Sequence, residues 1–114
     1  SVRMLAACGA LCAAFGVALS AYASHAAGGD DQRRLMIAAV FAFGHGLALA
    51  ALSGHARGRF AMLPLLGMLL GTALFSGSLC ASVWLGAGTG LAPFGGPLLI
   101  VSWLLQAIVS LRGR

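Results

Sequence analysis

Four apolar runs, each near the length of a bilayer crossing, divide the chain, and all of its charged residues fall outside them. A helix needs about 20 residues to cross the hydrocarbon. The runs predict transmembrane helices over approximately 4–23, 35–53, 60–85 and 93–111. Ser24 to Arg34, holding His25, Gly28-Gly29 and the cluster Asp30-Asp31-Gln32-Arg33-Arg34, is expected to lie outside the hydrocarbon, with Asp30 or Asp31 capping the second helix. Ser53 to Arg59 reads as a short basic loop in which His55 is solvated, and Gly86 to Gly96 as a glycine-rich loop broken by Pro93. The pattern predicts an all-α integral membrane fold: one domain over 1–114, built as a compact antiparallel bundle of four transmembrane helices.

Within the runs, small residues recur at helical spacing. Cys12, Gly16 and Ser20, and Ala10, Ala14 and Ala18, follow one another at intervals of four and suit close helix approach, as do Gly67 and Gly71 in the third run. The first run, with Arg3 before it and Ala21-Tyr22-Ala23 after it, also fits a signal peptide; the expectation is a packed first helix. Pro64 lies in the first turns of the third helix, where a missing amide costs little. Trp84 suits the far interface, where aromatic rings collect. Pro97 suits a first helical turn. The fourth helix either starts near Leu91 with a distorted first turn, or the Pro93 to Pro97 stretch dips into the protein as irregular backbone.

Composition sharpens this picture. The 114 residues are 61% hydrophobic and 8% charged, against about a quarter charged in soluble domains, which leaves no room for a separate soluble unit. The net charge of +5 does not point to nucleic acid, because the seven arginines stand at segment ends. Arg3, Arg57, Arg59, Arg112 and Arg114 fall on one side of a four-span topology and Arg33 and Arg34 on the other, so both termini are expected in the cytoplasm. The expected location is a bacterial cell inner membrane, with the mitochondrial inner membrane as the other choice and the matrix as the corresponding side.

Polar side chains inside the spans are the candidate chemistry, since hydrocarbon supplies no partners. His45, in Phe43-Gly44-His45-Gly46, lies about 15 Å from Leu35 at 1.5 Å per residue, and Ser76 lies at a similar depth from the end of the third helix. A hydrogen bond between them would tie the two helices, with Ser78 and Thr72 extending the polar stripe. His45 is read either as a neutral packing histidine or as a proton-handling or ligand-contacting group. His25 and His45 differ too much in depth to flank one haem iron. His25 and Cys80 match better, yet copper or zinc needs further ligands, so no metal site is assigned. The three cysteines, Cys8, Cys12 and Cys80, give no disulfide framework. The only carboxylates are adjacent in one loop, which argues against a hydrolase and leaves no catalytic residue to name.

Phe43-Gly44-His45-Gly46-Leu47-Ala48-Leu49, Leu74-Phe75-Ser76-Gly77-Ser78-Leu79, then Ala92-Pro93-Phe94-Gly95-Gly96 and Trp103 resemble, in order and spacing, the signature of the domain of unknown function 423 family. That family holds small bacterial inner-membrane proteins and a mitochondrial relative, transmembrane protein 256. The resemblance runs roughly from Phe15 to Leu111. The chain departs from the family pattern at Ser20-Ala21-Tyr22-Ala23-Ser24-His25, where the family tends to carry Gly-Ala-x-Gly-Ala-His, and at Cys80, where it tends to carry Tyr. The resemblance implies a four-helix membrane protein of a family with no established activity.

The expected function is non-enzymatic: an accessory or assembly partner in a membrane complex or homo-oligomer. The alternatives are a carrier or channel lined by His45, Ser76 and Ser78, and a lipid, quinone or haem binder with a groove near Trp103 and the Pro93 to Pro97 bend. The sequence names no cofactor.

Overall fold

The computed structural model describes residues 1–88 and 90–112, so Arg114, counted above among the basic residues of one side, lies outside the described residues. Four helices follow one another: α1 (Val2–Ala26), α2 (Gly29–Leu52), α3 (Gly58–Trp84) and α4 (Ala92–Arg112), with a short 3₁₀ turn, Ser53–His55, after α2. All four are long and apolar enough to cross a membrane, and no strand occurs among the described residues. Each is antiparallel to the next. α1 and α2 form one hairpin, α3 and α4 a second, and α2 packs on α3 to join them.

The largest departure from the sequence expectation is the first connection. Only Ala27 and Gly28 separate α1 from α2, instead of a polar loop from Ser24 to Arg34. Gly29 makes the turn possible: its φ of 59° is left-handed, a conformation that costs glycine little and other residues more. Asp30 and Asp31 therefore do not cap α2. Gly28 is the cap residue, without a side-chain bond, and both aspartates lie in the first turn, where their charge meets the positive end of the helix dipole. Gln32 Nε2 donates to the Ala23 carbonyl at 2.9 Å, so the first turn of α2 satisfies an end carbonyl of α1. The polar cluster belongs to the helix because its side chains can reach water from a helix end while its backbone stays bonded.

α4 starts at Ala92, which resolves the two readings of the Pro93 to Pro97 stretch in favour of helix. Phe94 and Gly95 donate backbone N–H groups to Leu91 O at 3.1 and 3.2 Å. Pro97 is the sixth residue of α4, past the first turn, and has no N–H for the Pro93 carbonyl. Pro64 likewise lies inside α3, buried, as its seventh residue.

The hairpins are closed by backbone-to-backbone contact. A Cβ on Gly9 would stand 2.7 Å from Ala50 N and Gly46 O, and one on Gly46 would stand 2.5 Å from Gly9 O. Gly16 is pressed in the same way against Phe43 and Ala39. In the second hairpin a Cβ on Gly95 would meet Phe75 N at 2.7 Å and Gly71 O at 2.8 Å, so the Gly67/Gly71 pair does receive a helix, and that helix is α4. On α1 the packing stripe is Gly9, Gly16 and Ala23; Ala10, Ala14 and Ala18 face outward, exposed. Two apolar clusters fill the ends between the hairpins. Leu19, Ala23, Leu35 and Cys80 lie at the end bearing the aspartates, and Leu5, Leu49, Leu65 and Met68 at the other.

Because the α1–α2 contact leaves no room for a side chain, Gly46→Val is expected to lower unfolding stability in detergent by about 2 kcal/mol or more, as overpacking does. Gly44→Ala, two residues away and with nothing within 4 Å of its added methyl, is expected to change stability by less than about 1 kcal/mol, and upward. Circular dichroism melts of both variants check this.

Candidate functional site

The polar side chains of the spans do not gather into one cluster. Two of them, Ser76 and the His45–Trp103 pair, form separate helix-to-helix ties. Ser76 Oγ donates to the Ala38 carbonyl of α2 at 2.9 Å, and not to His45. The register explains the difference. Depth counted from Leu35 sets His45 level with Ser76, but α2 begins six residues earlier, at Gly29, a shift of about 9 Å. Antiparallel to α3, α2 thus brings Ala38 to Ser76. Ser78 is buried on α3 but stands about 200° around the helix from Ser76, so it shares no partner with it. Thr72, one turn from Ser76, is buried with its hydroxyl unpartnered among the described residues.

His45 is instead held by α4. Trp103 Nε1 donates to His45 Nε2 at 3.0 Å, and His45 Nδ1 lies 2.9 Å from the carbonyl of Phe41, one turn back on α2. The two contacts fit a single neutral tautomer: Nδ1 carries the proton and donates it, and Nε2 keeps its lone pair for the indole. The ring is half-buried, stacked 5.7 Å from Phe41 at an interplanar angle of 20°. Phe41 in turn lies 4.4 Å from the ring of Phe75 on α3. A continuous aromatic line, Trp103, His45, Phe41 and Phe75, therefore crosses three helices at mid-height. Phe41 and Phe75 were absent from the sequence-derived candidates, and Trp103 stands in a different role from the one expected. The signal available for Phe41 was its spacing of four from His45, which sets both on one helical face.

His25 ends α1 as an exposed last-turn residue, where a histidine suits the helix dipole. Cys80 is buried among Leu19, Ala23 and Leu35, away from solvent. Among the described residues no three His, Cys, Asp or Glu side chains converge as metal ligands do. At the same end Tyr22 and Trp84 pack edge to face, 5.7 Å apart, and Arg34 Nη1 reaches Ser82 Oγ at 3.4 Å. An open groove of about 400 Å³ lies there between α2, α3 and the first turns of α4, walled by Arg34, Ile37, Phe75, Leu79, Pro93 and Pro97. It occupies the bend where a ligand groove is expected from the sequence, but Trp103 does not line it.

Since His45 and Trp103 are bonded and His45 and Ser76 are not, a double-mutant cycle separates the two arrangements. His45→Leu and Trp103→Phe are expected to couple by about 0.5–1.5 kcal/mol in detergent unfolding, the range for interhelical bonds in membranes. His45→Leu and Ser76→Ala are expected to couple by less than about 0.5 kcal/mol. Thr72→Val, which removes an unpartnered buried hydroxyl, is expected to raise stability by about 1 kcal/mol in the same assay.

No curated protein and no solved structure matches the chain. A family model does match, over residues 19–96, from the second half of α1 through the first turns of α4, and its description is protein of unknown function (DUF423). The matched span contains Phe41, His45, Phe75 and Ser76 and stops short of Trp103. On this match, the chain belongs to the DUF423 family of proteins of unknown function.

Proposed function

We propose that the chain is a non-enzymatic integral membrane protein that acts as an accessory or assembly partner, offering its outer helix faces to other membrane-embedded helices. The observation that carries this reading is how the interior polar groups are used. His45, Trp103 and Ser76 bond across or along helices, and Ser53 and Ser102 return to the carbonyls of Leu49 and Leu98. Ser76 and the His45–Trp103 pair hold helices together, Ser53 and Ser102 are satisfied within their own segments, and side chains committed in these ways are not poised for turnover. Such a protein acts through its surface. Its α1 offers one suited to helix association: the exposed stripe Ala10, Ala14 and Ala18, flanked by exposed Leu11 and Val17.

The arginine distribution favours both termini in the cytoplasm of a bacterium, with the inner membrane as the location. A carrier reading asks for a polar path reaching His45. Its ring nitrogens are both occupied, and it does not line the groove beside Pro93 and Pro97. A second reading, an amphiphile or quinone binder, is favoured by one observation, the Arg-rimmed groove beside Pro93 and Pro97.

Purification from the source membrane in mild detergent, followed by mass spectrometry of what remains bound, tests the proposal. A stoichiometric protein partner or a homo-oligomer is expected, retained in His45→Leu and lost when Ala10, Ala14 and Ala18 are changed together to Ile. Recovery of the chain alone, carrying a small molecule that His45→Leu removes, would overturn the proposal.

A further inference from the structure

The two ends of the bundle differ sharply in charge. Asp30 and Asp31 stand at the end where α2 begins and offset Arg33 and Arg34, with Arg33 Nη2 3.7 Å from Asp30 Oδ1. The opposite end holds Arg3, Arg57, Arg59 and Arg112, with no carboxylate side chain among the described residues. An open groove of about 390 Å³ is set into that end, between the 3₁₀ turn after α2, the start of α3 and the last turns of α4. Its polar lining is His55, Arg57, Gln106, Ser110 and Arg112, and Phe60 supplies an aromatic wall.

Two features of this groove point to an occupant. The Arg112 guanidinium lies over the Phe60 ring, 4.8 Å from its centroid. A cation–π contact steers the group over the groove but leaves its charge and its N–H donors unneutralised. Arg57 is exposed on the facing wall and has no ion-pair partner among the described residues. An occupant that matches two arginines, a serine hydroxyl and an amide is a phosphate-bearing anion. The remaining walls are apolar, and over the next two turns inward Leu63 on α3 and Leu104 and Ile108 on α4 are exposed. A soluble anion would gain nothing from those surfaces, whereas an amphiphile would cover them.

We propose that this groove seats an anionic phospholipid, its phosphate between Arg57 and Arg112 and its acyl chains along the exposed apolar faces of α3 and α4. The site rests on the reading of the chain as an integral membrane protein. It is separate from the groove beside Pro93 and Pro97, which lies at the other end of the bundle. A lipid bound there would bridge α3 and α4 to the turn after α2, tying the two hairpins at the end where the 3₁₀ turn joins them.

The test uses the whole chain purified in neutral detergent, with phosphatidylglycerol and phosphatidylcholine as probes and mass spectrometry under non-denaturing conditions as the readout. Phosphatidylglycerol is expected to bind at least tenfold more tightly than phosphatidylcholine. The Arg57→Gln/Arg112→Gln variant is expected to weaken phosphatidylglycerol by roughly twenty-five-fold, the loss of two basic contacts of about fivefold each, while Arg3→Gln/Arg59→Gln, at the same end but outside the groove lining, leaves it unchanged. Equal binding of the two lipids by the unaltered chain overturns the site without needing any variant. So does an equal loss in both variant pairs, which would mean a general charge effect. Displacement of the lipid by millimolar inorganic phosphate would assign the groove to a soluble anion and overturn the proposal, as would an acidic protein segment cross-linked to Arg57 in place of lipid. Resistance of the chain to alkaline extraction from phosphatidylcholine vesicles reports membrane insertion separately, so a failed site remains distinguishable from a failed membrane reading.

Discussion

Backbone contact across paired glycines is the constraint on which the architecture depends. Between helices in hydrocarbon there is no gain from moving apolar side chains out of water, so association rests on close packing and on the few polar bonds available. Gly9 against Gly46 and Gly71 against Gly95 bring main chains so near that a single methyl group would collide with a neighbouring carbonyl or side chain. Those contacts fix the vertical register of each hairpin. With the hairpins set, the α2–α3 seam inherits its register from the two connections, and the seam decides which polar groups meet.

The His45 arrangement follows from that register. α4 lies against α3 and reaches α2 at this level through the long indole of Trp103, which donates across the gap. The hydrogen bond serves two ends: it satisfies an indole N–H and a ring nitrogen, a need that is greatest where helices cross hydrocarbon, and it links the α1–α2 hairpin to the last helix. The aromatic line through Phe41 and Phe75 backs this bond with packing. On the proposed reading, a histidine so placed is a structural clasp. Function is then sought on the outer surfaces, where Ala10, Ala14 and Ala18 present a smooth stripe and where each end of the bundle carries a groove rimmed by arginine.

Charge and shape agree about those ends. The whole net charge of +5 belongs to the end without aspartate, counting Arg114 by its place in the sequence. That asymmetry supports the threading proposed from the arginines. It also makes a phosphate-bearing lipid the natural complement of the groove between Arg57 and Arg112. At the other end the same residue type is used differently: Arg33 stands near Asp30 and Arg34 reaches Ser82, so both have partners within the chain.

The sequence by itself determined the number of helices, their membrane-spanning length, the family resemblance and the residues that bring polarity into the spans. These are local quantities: hydropathy over a run of about 20 residues, or a short motif read in order. It misjudged the start of α2, because the polar cluster from Asp30 to Arg34 looks like a loop when judged by composition, while a positive-φ glycine and a reaching glutamine allow it to be helix. That one boundary displaced the inferred depth of His45 and hence its inferred partner. The choice of Trp103 over Ser76 was made by tertiary structure alone. It depends on where the two helices of each hairpin stop sliding along one another, and that point is set by glycine contacts between residues far apart in the chain, which no local window of sequence records.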